Sequence, residues 1–228
     1  MDIQKKYWNE FIIDWDKSVY ERSRENMSLV EKVATSFRSL LIFRTEYAVE
    51  QITPHIKDKN IIEIGCGTGR YSLELLQKGA KHVTGYDISD LAINKANKMF
   101  SDFGVDENTY TFKSIDLKDF KAPEVKDNLI ITGLGILQYL SDEEKKAFFK
   151  KVDGAQLFFE FHEDKFSFLE VCHTIYRKLK PSLPFYHKPT KKELRKLISQ
   201  ETYPKLYYSR VRGVSYFSSI PIEGWSSF

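Results

Sequence analysis

Apolar residues change their spacing twice along the chain of 228 residues. Trp8, Phe11, Ile12, Trp15 and Val19 recur at helical intervals and predict an amphipathic helix near residues 3–19. Ser28 and Glu31 form a capping box, each side chain satisfying an unpaired N–H of the first turn. The helix that follows carries Val33, Phe37, Leu40, Leu41, Tyr47 and Ile52, and Pro54 is expected to stop it. From residue 59 short apolar runs alternate with helical stretches. Asn60–Ile64, His82–Tyr86, Tyr110–Ser114, Asn128–Thr132 and Gln156–Phe161 read as strands. Helices are predicted over Tyr71–Lys78, over Leu91–Phe100 with Ser89 as N-cap, from the Ser141/Glu144 capping box to about Val152, and from about Phe166 to Lys180. Such alternation argues for a parallel sheet covered by helices on both faces. After Pro181, Pro184 and Pro189 the spacing changes again. Thr190 and Glu193 cap a short basic helix, and Leu206–Val211 and Val214–Ile220 are strand-like runs close enough across Arg212-Gly213 to form a hairpin. Two regions result, a helical cover over residues 1–57 and a sheet domain over 58–228.

Composition narrows the class less than the distribution of charge does. The formal net charge is +3, too small to indicate a partner. Residues 177–228, however, hold eleven basic and three acidic residues, a surplus of eight, and the remainder carries a deficit of five. The N-terminus lacks the apolar core and cleavage site of a signal peptide. The most apolar stretch, Leu129–Leu137, spans nine residues with two glycines, far short of a membrane span. Cys66 and Cys172 are too few for a disulfide framework or a zinc site, and no spacing suggests a catalytic metal. A soluble, cytoplasmic protein is expected.

The segment that carries chemistry is Ile61-Ile62-Glu63-Ile64-Gly65-Cys66-Gly67-Thr68-Gly69-Arg70. An apolar strand runs into glycines at alternate positions and then into a helix. The backbone there turns tightly, and a ligand approaches with no Cβ in its way. That ligand would sit beside a helix N-terminus, at the carboxyl ends of the strands. A phosphate-binding loop would end in Gly-Lys-Ser/Thr, whereas this one ends in Gly69-Arg70-Tyr71. A dinucleotide fingerprint would place a glycine where Arg70 stands.

What remains, acid-x-Gly-x-Gly-x-Gly, resembles the loop of the class I S-adenosylmethionine-dependent methyltransferases. The resemblance covers about residues 58–220, with its specific motifs in 61–142. It implies an α/β fold with a Rossmann-like, doubly wound, seven-stranded, mostly parallel sheet and an antiparallel final strand, and S-adenosyl-L-methionine as cofactor. The residues it implies for the cofactor are Glu63, Gly65, Cys66, Gly67, Thr68 and Gly69 in the first loop. Asp87, 24 residues after Glu63, would hold the ribose with Ile88 beside it. Asp116 and Leu117 would meet the adenine, and Gly133 would lie along the methionine. Each acid has a plainer alternative: Asp87 as a helix-start acid favoured by the dipole, Asp116 as a solvated loop residue.

Methyl transfer is an in-line displacement with a neutral thioether leaving, so alignment and exclusion of water are the main tasks. An alcohol acceptor additionally needs a base. His162, at the carboxyl end of the fifth strand, is the first candidate, and its neighbour Glu160 faces either the pocket or away from it. His187 in the proline-rich loop is a second. Gln138 and Tyr139 fall where the family often has histidine, near the transferred methyl. Tyr7, Trp8, Trp15 and Tyr20 could close over the cleft, with Arg38 or Arg44 near the methionine carboxylate. The basic C-terminal quarter interleaves aromatics (Phe185, Tyr186, Tyr203, Tyr207, Tyr208, Tyr216, Phe217) and suits an anionic, partly apolar acceptor. The same residue types serve nucleic acid, the less favoured partner because neither a separate binding domain nor an Asn/Asp-Pro-Pro-Tyr/Phe loop is present. His187-Lys188-Pro189-Thr190 before a basic helix also resembles, more loosely, the porphyrin and quinone methyltransferases. The expectation is transfer of a methyl group to oxygen of a small metabolite. The alternatives are an RNA methyltransferase, an aminopropyl transferase and a catalytically silent, cofactor-binding partner subunit.

Overall fold

Short apolar runs that are buried on both faces can only be inner strands of a helix-covered sheet. The structure, a computed structural model, describes residues 4–10, 29–124, 128–165 and 186–228, and side chains of the second helix from residue 42 onward together with Ser39. The helix expected over 166–180, the Ser28 cap, Trp15, Tyr20, Cys172, Phe185 and the Arg38 side chain lie outside the described residues.

Residues 4–10 form helix α1. Then come α2 (Leu29–Ile56), β1 (Asn60–Ile64), α3 (Arg70–Gln77), β2 (His82–Asp87), α4 (Asp90–Asp102), β3 (Tyr110–Ser114) and β4 (Leu129–Gly133). They are followed by α5 (Asp142–Lys151), β5 (Gln156–Phe161), α6 (Lys191–Leu197), β6 (Tyr207–Val211), β7 (Val214–Ser218) and β8 (Ser226–Ser227). The sheet order is β3-β2-β1-β4-β5-β7-β6-β8. The first five strands are parallel, and β7 lies antiparallel between β5 and β6. The sheet thus has eight strands where seven are expected. The addition is the two-residue β8, which pairs Ser227 with Tyr207 and Ser226 with Tyr208 along the otherwise open edge of β6. The hairpin joins through Arg212 (φ 51°) and Gly213 (φ 85°), the paired left-handed residues of a tight turn matched to strand twist.

Helix α2 does not stop at Pro54 but runs on to Ile56. Proline in a last turn removes a single backbone bond, and Thr53 Oγ1 donates to the Val49 carbonyl at 2.6 Å just before it. The same turns bury Ala48, Val49, Ile52 and Ile56 against Ile61, Val83, Ile130, Phe158 and Tyr216, so packing overrides the local stop signal. On the other face Ile62, Ile64, Ile131, Phe159 and Phe217 meet Phe148 and Phe149 of α5 and Leu194 of α6. Strand alternation therefore sends Glu63 and Glu160, like Ile61 and Phe158, toward the α2 side. Because the chain builds outward from β1 to β3 and then returns to β4, the carboxyl ends of β1 and β4 flank a crevice, where sheets of this kind hold ligands. Among the described residues no helix is long and apolar enough to cross a membrane.

Candidate active site

At the end of β1 the chain turns through Gly65 (φ 72°), Gly67 (φ 53°) and Gly69 (φ 82°). Gly69 is the left-handed residue opening α3, and its missing side chain matters twice. A Cβ there would lie 3.1 Å from Ala96 and Phe112, so the bare position lets α4 and β3 pack closely against the loop. Gly65 N and Cys66 N donate to the Tyr86 carbonyl at 2.7 and 3.1 Å. Gly67 N donates to Asp87 Oδ2 at 2.9 Å, and Ser89 N donates to Asp87 Oδ1 at 2.8 Å. Asp87 is therefore a clasp between the glycine loop and the start of α4. Burial raises its pKa, opposed by those backbone donors.

Glu63 is buried under the same loop and accepts a 2.5 Å hydrogen bond from Ser72 of α3. Burial, with the Asp87 charge adding to it, pushes the Glu63 carboxyl up to about 8. Cys66 is buried with its thiol pushed up by desolvation, so it acts as a small packing residue. Thr68 is buried, Ile88 half-buried, and Leu117 packs at the margin of the core. Asp116 caps its own turn, taking Lys118 N at 3.0 Å and the Lys118 ammonium at 2.7 Å. Burial opposes ionisation there, but Lys118 wins and the carboxyl is lowered. Gly133 ends β4 against the Ile64 carbonyl, which a Cβ would meet at 2.8 Å.

Helix α1 lies across these loops. Asn9 Oδ1 accepts from Ser89 Oγ at 2.7 Å, and Lys5 pairs with Asp90 at 2.8 Å. Gln4 Nε2 donates to the Tyr139 carbonyl at 3.1 Å, and the Trp8 ring meets the Tyr139 ring edge-on at 5.1 Å. Residues 4–10 thus bridge the turn after β2 and the loop after β4.

On the opposite side, side chains from separate segments converge. His162 Nε2 stands 3.2 Å from Glu160 Oε1, and His162 Nδ1 is hydrogen-bonded to the Tyr186 hydroxyl. Tyr186 packs edge-on against Tyr139 at 5.5 Å, and Lys188 Nζ sits 5.6 Å from the Tyr186 ring centre. Glu160 is wholly buried. Its Oε2 lies 3.6 Å from Arg44 Nη1 of α2, and neither carboxylate oxygen has a well-aligned hydrogen bond. Burial would keep it neutral, but His162 and Arg44 hold its carboxyl low. Arg44 therefore faces Glu160 from α2. Gln138 is buried, with Nε2 donating to the Gly135 carbonyl at 2.8 Å and Oε1 without a hydrogen-bond partner among the described residues. His187 N donates to the Gln138 carbonyl at 2.8 Å, but its ring turns the other way. His187 Nδ1 stands 3.3 Å from Lys145 Nζ and 3.5 Å from Asp142 Oδ1, at the start of α5.

Of the four catalytic candidates, His162 and Tyr139 are joined through Tyr186, Gln138 is buried next to Tyr139 in the loop after β4, and the His187 ring faces α5. Two charged anchors escape the sequence reading. Lys145 is fully buried on the face that carries Phe148 and Phe149, and pairs with Asp142 at 2.9 Å. Its position in the inward-facing spacing of α5 is the signal that could have found it. Glu163, also buried, takes Tyr208 OH at 2.5 Å, Ser215 Oγ at 2.9 Å and Lys165 Nζ at 2.9 Å, tying the end of β5 to the hairpin. Nothing local in the sequence marks it.

The comparisons agree with this geometry. Residues 61–155 match a family described as a methyltransferase domain. Ribosomal protein L11 methyltransferase of Clostridium perfringens (strain SM101 / Type A) is 30% identical over 135 residues, 58% of this chain and 42% of that protein. The tRNA U34 carboxymethyltransferase of Shewanella halifaxensis is 36% identical over 52 residues, 22% of this chain and 16% of that protein. The chain thus spans less than half the length of the curated relatives it matches. Magnesium protoporphyrin IX methyltransferase from Synechocystis PCC 6803, solved with bound S-adenosylhomocysteine, superposes with a TM-score of 0.71 at 20% identity, over 95% of this chain and 97% of that one. Residues 61–155 are thus similar to a methyltransferase domain, and the chain shares the fold of class I S-adenosylmethionine-dependent methyltransferases.

Proposed function

We propose that this protein transfers a methyl group from S-adenosyl-L-methionine to oxygen of a small, anionic, partly apolar acceptor. The observation that carries the reading is the rim at the end of β5. There a histidine–tyrosine hydrogen bond and a lysine ammonium lie together, on the same strand ends as the glycine loop. The chemistry of that loop fits the cofactor. Glu63 and Asp87 are two acids with raised pKa values, one adding to the other's shift, so the pocket is short of positive charge. S-adenosylmethionine, when bound, supplies a sulfonium whose methyl carbon is open to attack.

Asp87 and Ile88 would hold the ribose, since each Asp87 oxygen keeps a lone pair beyond the amide it accepts. Asp116 and Leu117 would border the adenine, and the loop from Gly65 to Gly69, with Glu63 and Gly133, would hold the methionine end. Helix α1, fastened to both sides of the crevice, excludes water. On the acceptor side Gln138 and Tyr139 shape the pocket floor, and His162 takes up the proton that an alcohol must lose. Lys188 beside Tyr186 favours an acceptor that carries negative charge. The structural relative acting on magnesium protoporphyrin IX supports a small-molecule acceptor.

A protein or RNA acceptor is the second reading, favoured by the names of the sequence relatives and by the C-terminal charge surplus. The residues offered for base stacking weaken it, because Tyr203, Tyr216 and Phe217 are buried in the core. Several cations of that region are also engaged internally. Lys191 bonds the Ser227 carbonyl, Arg195 the Tyr203 carbonyl, and Arg212 covers the Phe43 ring.

Calorimetry with S-adenosylmethionine and S-adenosylhomocysteine tests the cofactor, with binding of both expected. Binding of neither would remove the core of the proposal. Mass spectrometry of a metabolite extract incubated with enzyme and cofactor tests the acceptor. The expected result is an enzyme-dependent product one CH2 heavier than its precursor; methylation found only on added RNA or protein would favour the second reading.

A further inference from the structure

We propose that Tyr186 is the catalytic residue that meets the acceptor, and that His162 and Glu160 act through it as a proton relay. This rests on the methyl-transfer reading above and deepens it. The two nitrogens of the His162 imidazole face two different groups. His162 Nε2 faces Glu160 Oε1 at 3.2 Å, and Nδ1 is hydrogen-bonded to the Tyr186 hydroxyl. Each nitrogen therefore faces a protein group, and the tyrosine oxygen is the route by which a substrate hydroxyl reaches Nδ1.

Glu160 sets the direction of that path. Its carboxylate is wholly buried and held ionised by Arg44, 3.6 Å away, so it accepts hydrogen bonds and donates none. A neutral His162 ring consequently carries its proton on Nε2 and presents a bare Nδ1. The Tyr186 O–H then donates to Nδ1, leaving its oxygen lone pairs as the acceptor-facing base. Tyr186 itself is only half-buried, flanked by Tyr139 and Lys188.

The step balances without any further reactant. The acceptor oxygen forms a bond to the methyl carbon as the carbon–sulfur bond of the sulfonium breaks, its electron pair remaining on the thioether sulfur. The acceptor proton moves to the Tyr186 oxygen while the Tyr186 proton moves to His162 Nδ1. The imidazolium so formed is neutralised by Glu160, and its proton passes to solvent before the next turnover. Glu160 thus does for His162 what a buried carboxylate does in other histidine relays, fixing tautomer and orientation and stabilising the transient cation.

The test uses the full chain, with nitrogen-15 NMR of the histidine rings as a readout that does not depend on turnover. In the wild type, His162 is expected as the Nε2–H tautomer, identified by loss of its signals in H162Q. In E160Q the tautomers mix, and in Y186F the Nδ1 signal moves while Nε2 stays protonated. Y186F is expected to lower formation of the methylated product from the metabolite extract by about a hundredfold, the middle of the range for acid–base assistance. Its affinity for S-adenosylmethionine should remain within twofold. A wild-type Nδ1–H tautomer, or Y186F at wild-type rate, would overturn the relay. Absence of cofactor binding in the wild type would instead sink the methyl-transfer reading, so the two failures are distinct. If E160Q does not accumulate in folded form, Y186F alone decides, because its site is at the half-exposed rim.

Discussion

Between Gly65 and Ser89 the crevice is built of backbone, with amides of the glycine loop and of the α4 start gathered on one carboxylate, Asp87. Between Gln138 and Lys188 it is built of side chains. There Arg44 from α2, Glu160 and His162 from the end of β5, and Tyr139 and Tyr186 from two loops are held by one another. The first kind of site is fixed by contiguous sequence and by the absence of Cβ atoms, so its failure is a failure of the fold. The second depends on distant segments arriving together, and single changes there should alter chemistry while leaving the sheet intact. That division follows from covalent geometry: an amide cannot be moved without moving the chain, whereas a side chain can be replaced on an unchanged backbone.

The largest expected effect comes from adding one atom to the backbone side. In Gly133→Ala the new Cβ would stand 2.8 Å from the Ile64 carbonyl and 2.9 Å from Ile136, and the Ile64 backbone, held in register with Tyr86 of β2, has little room to yield. Overpacking of this sort costs about 1–3 kcal/mol, which thermal unfolding would register as a fall of several degrees at about 2–4 °C per kcal/mol. Cofactor affinity should fall with it. Next is Asp87→Asn, nearly the same shape but with a donor where a second acceptor stood. One of the Gly67 and Ser89 amides then faces an NH2 group. Calorimetry should show cofactor affinity reduced by about tenfold or more, equivalent to about 1.4 kcal/mol. An Asp87→Asn protein that binds as tightly as wild type would erase the distinction between the two sides.

The same division explains what could be read from the sequence. The glycine loop, Asp87 and the strand–helix alternation are local patterns, and the structure has them at the expected positions. Pro54 misled because a single residue's preference was outweighed by the burial of Ile52 and Ile56, partners contributed by strands far along the chain. The eighth strand went unseen because two serines carry no hydrophobic period; only the open edge of β6 makes them a strand. Tyr216 and Phe217 looked available for stacking, yet β7 lies inside the sheet between β5 and β6, and the layers packed on its two faces bury Tyr216 on the α2 side and Phe217 on the α5 side. Convergence of Arg44, Glu160, His162 and Tyr186 spans more than a hundred residues, and no periodicity encodes it.

A smaller effect, but a sharper one, should come from pH. Glu63 has an ordinary value of 4.5 and is pushed up to about 8 by burial in the folded chain. Between those two values the folded chain holds a proton that the unfolded chain has lost. The stability associated with that proton is complete below about 4.5 and is lost as pH rises through about 8. Glu63→Gln removes the group while keeping an acceptor for Ser72. The difference in Tm between Glu63→Gln and wild type should therefore grow in favour of the variant from pH 5 to pH 8 and level off above. A difference independent of pH would show that Glu63 is ionised throughout and that the loop tolerates its charge without a ligand.

The smallest effect concerns His187, which the sequence offers as a base and the structure turns toward α5. Its ring is 3.3 Å from the ammonium of Lys145, a fully buried group that also pairs with the partly exposed Asp142. His187→Ala removes one hydrogen-bonding partner from that ammonium at a half-exposed edge, so a loss near 1 kcal/mol is expected, or about 2–4 °C in Tm. Methyl transfer should fall no more than the small displacement of the Gln138 loop requires, since the bond holding that loop is made by the His187 backbone N–H, which alanine retains. The informative contrast is with Tyr186→Phe, one residue away, where turnover should drop about a hundredfold with little change in Tm. If the two variants exchanged these signatures, the side-chain end of the crevice would be organised around His187, and the proton path would run toward α5 instead of toward Glu160.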